Sequence, residues 1–176
     1  MDFTLAPEIE RTRRAIREFV AEEILPLEGD PANYDEGENI RLDVLETMRA
    51  KARAAGLWAL QSPRERGGLG FSRVGMAACY EEMGRSIFGP VCFNCAAPDD
   101  GNMMLLAKAA TKAQQDKWLQ PIVDGKLRSS FVMTEPMPGA GSDPAAMKTR
   151  AEKKGDRWVV RGHKWFITGA AIAKHF

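Results

Sequence analysis

The sequence has little of what marks secreted, disulfide-bonded or membrane-spanning proteins. Its three cysteines, Cys79, Cys92 and Cys95, are an odd number without a disulfide spacing, which favours a reducing compartment. No apolar run approaches the ~20 residues that a membrane-spanning helix needs. The N-terminus, MDFTLAPEIERTRR, lacks the apolar core of a signal peptide. We therefore expect a cytoplasmic protein without membrane insertion.

The sequence also lacks a large excess of basic or acidic residues. Lys and Arg total 25 against 24 Asp and Glu, which gives a formal net charge of +1. Such a balance creates no net field to attract nucleic acid or an anionic membrane, so we expect neither as a partner. The length of 176 residues fits one domain, or one domain plus part of another.

Metal ligands are scarce. Cys92 and Cys95 form a C-x-x-C pair, but structural zinc takes four ligands, and Cys79, His163 and His175 do not lie at ligand spacing. A redox pair would be expected within a thioredoxin-like βαβ pattern, which the sequence does not have. The sequence therefore predicts no metal site, and cysteines that lie in the core or line a pocket.

What the chain does contain is a long helical half. From Pro7 to about Leu25 the apolar residues recur at helical spacing, and Pro26 is expected to end this helix. A polar loop with several breakers follows. The next helix begins near Ile40 and stops near Gly56, a residue suited to a left-handed C-cap.

Three further helices complete this half. One spans Val74 to Met83 and ends before Gly84, and another is predicted over DDGNMMLLAKAA, which has acids near its start. Thr111 and Gln114 have the spacing of a capping box, which indicates a new helix start. The first ~125 residues are thus typical of an all-helical bundle with short loops.

The pattern changes to strands near Gly125. RSSFVMT is a strand candidate, and MKTRAEKKGDRWVVRGHKWFIT has the pattern of strands broken by Lys-Gly-Asp and Arg-Gly-His turns. We predict an α+β fold, with an all-helical N-terminal bundle over residues 1–125 and a truncated antiparallel β-barrel domain over residues 126–176. The strands need partners, so we expect either a truncated chain or a partner chain that completes the sheet.

The loop between the strand candidates is the main candidate site. In MPGAGSD, Gly139 and Gly141 permit close backbone approach to a ligand, and Ser142 offers a hydroxyl. Thr134 before the loop and the aromatic stretch WFIT after it would add hydroxyls and flat rings. That combination suits a planar, hydrogen-bonding cofactor such as a flavin. The alternatives are a plain turn and ordinary strand core.

Two other motifs have simpler explanations. GGLGFSR, residues 67–73, resembles a broken dinucleotide fingerprint, but no strand precedes it, so a loop that leads into a helix is predicted. The helical stretch NMMLL, residues 102–106, fits the core by composition, and methionines also suit a flexible acyl pocket.

The motifs together resemble the acyl-CoA dehydrogenase family. The resemblance rests on DFTLAPEIERTRRAIREFVAEEILPLE, LETMRAKARAAGLWAL, GGLG, QQDKWLQPIVDGKL, FVMTEP, GAGSD and KTRAEKKGDRWVVRGHKWFIT, and it runs the length of the chain. It implies a helical N-terminal domain followed by a β-barrel middle domain, with FAD as cofactor. It also implies a third, helical domain that carries the catalytic glutamate and is absent here.

The resemblance further implies a reaction and its partners. An acyl-CoA would be dehydrogenated between its α and β carbons, with electrons passed on to an electron-transfer flavoprotein. The complete protein would be a homodimer or homotetramer active in fatty-acid metabolism. Because no carboxylate of this chain matches the catalytic motif, we name no catalytic residue, and we expect the chain alone to be inactive. Glu135 is assigned to the turn.

Residue roles follow from the same resemblance. The implied cofactor-binding residues are Phe131, Met133, Thr134, Gly141, Ser142, Phe166, Ile167 and Thr168. Ser142 would also approach the CoA thioester as a substrate-binding residue. The loop is longer than the common TEPGAGSD form by Met137 and Pro138, and Phe166 stands where many members carry tryptophan.

Two alternatives of other kinds stay open. The chain could be a non-catalytic module that binds FAD, acyl-CoA or a partner subunit. Within the same fold, the complete protein could be an acyl-CoA oxidase or a flavin monooxygenase.

Overall fold

The computed structural model describes residues 4–36 and 39–173. The chain folds into two compact units, Met1–Lys126, called unit 1, and Leu127–Phe176, called unit 2. The outer ends of the predicted domains, at residues 1–3 and 174–176, lie outside the described residues. The helices of the described part include none that is long and apolar enough to cross a membrane.

Unit 1 begins with an interrupted helix. Helix α1 (Pro7–Phe19) passes into a π-helical segment (Val20–Ile24) and then into α2 (Leu25–Glu28). The expected stop at Pro26 is therefore wrong. The Leu25 N–H donates to the Val20 carbonyl, five residues back. Because this wider turn comes directly before the proline, the chain stays helical although proline lacks an N–H.

The same arrangement recurs at the end of unit 1. Helix α7 (Lys112–Gln114) continues through a π-helical segment (Gln115–Leu119) into α8 (Gln120–Val123), which contains Pro121. The Gln120 N–H donates to the carbonyl of Gln115, again five residues back. The capping box predicted for this helix is confirmed, with the Thr111 hydroxyl accepting from Gln114 N at 3.3 Å.

The described residues between these two interrupted helices form further α-helices. They are α3 (Leu42–Ala54), α4 (Arg73–Met83), α5 (Gly89–Cys92) and α6 (Asp99–Ala109). The C-cap predicted at Gly56 is confirmed, because its φ of 72° is left-handed. Gly84 follows α4 as predicted, but with a right-handed φ of −70°. The GGLG motif lies in the loop that leads into α4, as expected.

The core of unit 1 is apolar and includes all three cysteines. Cys79, Cys92 and Cys95 are free thiols, and each is at most 1% exposed. Desolvation raises the pKa of Cys79 to about 11 and that of Cys92 to about 12. The prediction of core cysteines is confirmed. The core residues share full or near-full burial and include Ile16, Val20, Ile24, Leu45, Met48, Leu60, Met76, Met83, Phe88 and Phe93.

A buried polar junction holds the end of unit 1. The carbonyl of Val123 accepts from Trp58 Nε1 at 2.7 Å and from Asn94 Nδ2 at 3.2 Å. Asn94 Nδ2 also donates to the Ile122 carbonyl at 3.0 Å, and Asn94 is 3% exposed. The guanidinium of Arg53 lies over the Trp58 ring at 3.7 Å. These bonds satisfy carbonyls that the end of α8 would otherwise leave unpaired.

Unit 2 contains one antiparallel hairpin. Strand β1 (Arg150–Lys154) pairs with β2 (Arg157–Arg161), with Ala151 opposite Val160. The turn between them, at Gly155 and Asp156, is the one predicted from Lys-Gly-Asp. The α+β class is confirmed, and the β part is an open two-stranded sheet rather than a closed barrel.

The other two predicted strands are wrong. Neither RSSFVMT nor WFIT forms a regular strand in the described part of unit 2. They are joined by single hydrogen bonds rather than by a ladder, and a strand needs repeated pairing. Phe166 also has a φ of 50°, which interrupts any extended run.

Candidate functional site

Two stretches of unit 2 that are distant in sequence lie side by side. The N–H of Trp165 donates to the Thr134 carbonyl at 3.2 Å. At the other end, the hydroxyl of Ser130 donates to the Thr168 carbonyl at 3.0 Å. The order of these two bonds shows that the stretch before the loop lies antiparallel to the WFIT stretch. The structure thereby brings the first and last groups of predicted cofactor residues together.

The intervening loop is closed at its base. The N–H of Glu135 donates to the Gly141 carbonyl at 3.0 Å, and these residues form an isolated antiparallel bridge. Within the loop, Gly139 N donates to Pro136 O at 2.7 Å. The two extra residues, Met137 and Pro138, are thus taken up in a tight turn. The loop is longer than expected for the family, but Gly141 still lies opposite Glu135.

Several of the predicted cofactor residues are exposed. Phe131 is 57% exposed and Phe166 is 83% exposed, and the rings of Trp165 and Phe166 lie 4.7 Å apart. Contiguous exposed apolar groups, such as the Trp165–Phe166 pair, are typical of a contact surface. Within the described residues, the side-chain hydroxyls of Thr134, Ser142 and Thr168 have no hydrogen-bond partner.

The remaining predicted residues are partly covered. Met133, Gly141 and Ile167 are half-buried, and Ser142 is exposed. Gly141 has a φ of 57°, the left-handed region that glycine adopts without strain. Next to it, Asp143 accepts from Ala145 N at 2.9 Å and so caps the short turn Pro144–Ala146. All eight predicted residues therefore lie on three neighbouring stretches of unit 2.

The centre of this arrangement is a carboxylate that sequence reasoning assigned only to the turn. Glu135 is 2% exposed. Its Oε1 accepts from the Thr149 hydroxyl at 2.5 Å and from Thr149 N at 2.8 Å. Its Oε2 accepts from Lys148 N at 2.7 Å and from Ala140 N at 3.3 Å. The hydrogen bond from the Thr149 hydroxyl, followed by those from backbone N–H groups, holds the pKa of Glu135 far below its usual range.

One ammonium completes the group. The side chain of Lys164 is 14% exposed, and its Nζ donates to Glu135 Oε1 at 3.0 Å and to the Met133 carbonyl at 2.8 Å. Because it contacts both residues, Lys164 fixes the stretch before the loop to the stretch after the hairpin. The pair is enclosed and hydrogen-bonded on both sides, which a buried charge requires.

Sequence reasoning missed Thr149 and Lys164 as partners of Glu135. Their separations along the chain, 14 and 29 residues, follow no local pattern. No group of three or more His, Cys, Asp or Glu that could hold a metal occurs among residues 4–36 and 39–173.

The NMMLL stretch divides between core and surface. Met103 is fully buried, where its sulfur accepts from the Ser62 hydroxyl at 3.4 Å, whereas Leu105 is 56% exposed. Composition predicted core for the whole stretch, and only Met103 belongs to it. The exposed side of α6 is compatible with the alternative role in an acyl pocket.

Two family descriptions match the chain. Residues 6–126 match the acyl-CoA dehydrogenase N-terminal domain, and residues 130–176 match the acyl-CoA dehydrogenase middle domain. Among curated relatives, the probable acyl-CoA dehydrogenase FadE2 of Mycobacterium tuberculosis is 34% identical over 176 residues, or 97% of this chain and 42% of that protein. The chain thus spans less than half the length of this relative, and 16% and 20% of two others.

Solved structures give the same result. A putative acyl-CoA dehydrogenase from Mycobacterium abscessus superposes with a TM-score of 0.82 at 38% identity, over 95% of this chain and 44% of that one. A glutaryl-coenzyme A dehydrogenase in complex with glutaryl-CoA gives 0.73 at 28% identity, covering 98% and 42%. A Mycobacterium smegmatis glutaryl-CoA dehydrogenase with FADH2 gives 0.70 at 21% identity, covering 96% and 41%, a likeness of fold alone.

Proposed function

Because the chain belongs to the acyl-CoA dehydrogenase family, we propose that it forms part of an FAD-dependent enzyme that dehydrogenates an acyl-CoA thioester between its α and β carbons. The helical domain would be residues 1–125, and residues 126–176 would be the first part of the FAD-binding β-barrel domain. The activity of the whole protein is a proposal, since the chain spans 42% of its M. tuberculosis relative.

The observation that supports FAD binding is the grouping of eight predicted residues in unit 2. A flavin has a flat apolar face and a polar edge, and a site for it needs both rings and hydrogen-bonding groups. Exposed rings at Phe131 and Phe166, and hydroxyls at Thr134 and Thr168 that have no hydrogen-bond partner among the described residues, meet that need. FAD, when bound, would accept the hydride that leaves the β carbon.

The chain's own residues would bind and orient. We assign Phe131, Met133, Thr134, Phe166, Ile167 and Thr168 to the cofactor, and Gly141 and Ser142 to the cofactor and the thioester. The hydroxyl of Ser142 is exposed and has no partner among the described residues, so it is available to a polar group of the substrate. Such positioning lowers the barrier by fixing the reacting groups in place.

The catalytic base is proposed to come from outside these residues. Glu135 lies nearest to the proposed site in sequence, but its carboxylate accepts five hydrogen bonds and its pKa is held low. A carboxylate stabilised in its ionised form to this extent is a weak base. Glu135 therefore does not take the substrate's α-proton.

Partners and setting follow from the family and belong to the same proposal. We propose an electron-transfer flavoprotein as electron acceptor, a homodimer or homotetramer as the assembly of the complete protein, and a cytoplasmic role in fatty-acid metabolism. The glutaryl-CoA complex of a related enzyme supports an acyl-CoA as substrate.

A chimera tests the proposal directly. This chain replaces the matching 42% of the M. tuberculosis relative, and the purified chimera is desalted after incubation with FAD. Its visible spectrum is then recorded under argon before and after a mixture of acyl-CoAs is added. We expect a retained flavin band that bleaches with acyl-CoA and recovers slowly in air. A chimera that folds but retains no flavin would contradict the proposal.

Two other outcomes point to the alternatives. Retained flavin without bleaching favours a binding or subunit-interaction module without turnover. Bleaching followed by rapid recovery in air favours an oxidase or monooxygenase of the same fold. The matched control is the unmodified relative, prepared and assayed in the same way.

A further inference from the structure

The enclosed carboxylate of Glu135 connects parts of unit 2 that are far apart in sequence. Through Ala140 N it contacts the glycine loop, and through Lys148 N and Thr149 it contacts the start of the hairpin. Through Lys164 it contacts the stretch that precedes the exposed aromatic pair. The Glu135 side chain is thus hydrogen-bonded close to both of the other stretches that carry predicted cofactor residues, residues 141–142 and residues 166–168.

Two glycines leave room for this carboxylate and its partner. A Cβ at Gly139 would lie 2.7 Å from Glu135 Cβ and 2.8 Å from Glu135 Oε2. A Cβ at Gly162 would lie 2.0 Å from Thr149 Oγ1, the hydroxyl that donates to Glu135. Contacts this short do not occur in folded proteins, so any side chain at either position would displace the network.

Both side-chain oxygens of Glu135 accept hydrogen bonds, which a carboxylate can do and an amide cannot. Three donors meet Oε1, from Thr149 and Lys164, and two meet Oε2, from Lys148 and Ala140. In a Glu135→Gln variant one oxygen becomes an NH2 group, which donates and does not accept. Whichever way the amide turns, at least two donors face another donor.

We propose that Glu135 is the positioning residue of the cofactor loop. Its ionised carboxylate, rather than the glycine sequence alone, fixes the loop that bears Gly141 and Ser142 against the stretch that bears Phe166 to Thr168. This inference rests on the proposed function for what the loop contacts, while the role of Glu135 in ordering the loop stands on the hydrogen bonds alone. Glu135 itself touches neither substrate nor cofactor in this proposal.

Amide hydrogen exchange, followed residue by residue by NMR, tests the ordering role. In Glu135→Gln we expect exchange to rise at least about tenfold either at Thr149 or at Ala140 and Lys148, because the NH2 group replaces only one of the two acceptor oxygens. The matched control is Glu152→Gln, an exposed acid of the same unit whose cations lie 3.8 and 3.9 Å away. There we expect no change. Equal exchange at the three amides in wild type and Glu135→Gln would overturn the proposal.

Binding to FAD tests the positioning role. We expect the dissociation constant to rise at least about tenfold in Glu135→Gln, and the circular dichroism of the bound flavin to change at saturating FAD. A purely structural loss would weaken binding without altering the spectrum of the saturated site. Faster exchange with unchanged affinity and spectrum would overturn the positioning role.

A second variant tests the same network if Glu135→Gln does not fold. Gly162→Ala keeps the Glu135 charge and displaces the Thr149 hydroxyl, so it is expected to raise exchange at the same amides. If Gly162→Ala leaves those amides protected, the network does not order the loop. If the chimera with the wild-type sequence retains no FAD, the proposed function of this chain fails, and the exchange data still decide the role of Glu135.

Discussion

Unit 1 and unit 2 differ in the kind of side chain that they bury. In unit 1 the buried side chains are mostly apolar, such as Phe93, Ile16 and Leu60. Among the described residues of unit 2 the buried ones are polar, Ser129, Ser130 and the charged Glu135, while Phe166 and Trp158 are 83% and 64% exposed. Burial of apolar surface contributes most of the favourable free energy of folding, whereas hydrogen bonds contribute less and fix the geometry of the groups that they join. The helical unit is built for stability, and the β unit presents its apolar groups outward.

Removal of a core ring should destabilise unit 1 the most. Phe93→Ala deletes a fully buried side chain that packs edge-on against Phe19 at 5.3 Å. We expect the free energy of unfolding of unit 1 to fall by about 3–5 kcal/mol. Urea unfolding followed by helical circular dichroism measures this. A loss below ~1 kcal/mol would mean that apolar burial does not dominate unit 1.

A buried polar group in unit 1 gives the next effect. Asn94→Ala removes both hydrogen bonds to the carbonyls at the end of α8, and we expect a loss of about 1–3 kcal/mol. Because Asn94 has a φ of 55°, Asn94→Gly is the control that removes the side chain without backbone strain. A loss in alanine but none in glycine would assign the effect to strain instead of hydrogen bonding.

A helix cap gives a smaller effect. Thr111→Ala removes the hydroxyl that accepts from Gln114 N, and we expect a loss of about 1 kcal/mol. Thr111→Ser keeps the oxygen and is expected to unfold within ~0.5 kcal/mol of wild type in the same urea titration. If alanine and serine behave alike, the cap makes no measurable contribution.

An exposed ring of unit 2 should matter least for stability. Phe131→Ala removes a ring that is 57% exposed, so we expect a stability change within ~0.5 kcal/mol. Under the proposed function, its affinity for FAD falls about 2- to 10-fold through the lost ring contact. Calorimetry with FAD and urea unfolding separate the two results. A large stability loss with unchanged affinity would place Phe131 in a core.

Much of the helical unit could be predicted because its signals are local. Apolar periodicity, acids near a helix start and glycines after a helix end predicted α1, α3, α4 and α6, and the capping box at Thr111 is confirmed. The stop at Pro26 was wrong because the π-helical turn before it has no sequence signature. The family, identified from the sequence by resemblance, is confirmed by the matches over residues 6–126 and 130–176.

The β unit was harder to predict for a physical reason. Strand propensity in RSSFVMT and WFIT is real, but a strand forms only where partners supply a ladder. The hairpin was predictable because its partner follows after Gly155 and Asp156. The Glu135 network was not, because its donors Lys148, Thr149 and Lys164 come from 13 to 29 residues away. The predicted cofactor residues stay a prediction.

In our interpretation unit 2 holds the cofactor, while unit 1 supplies the stable scaffold. Hydrogen–deuterium exchange of the chimera that carries this chain, measured by mass spectrometry with and without saturating FAD, is the decisive test of this division. We expect added protection in peptides that contain residues 131–134, 140–142 and 165–168, and unchanged exchange in α1, α3 and α4. Protection confined to those helices, or none in either unit, would mean that the division is wrong.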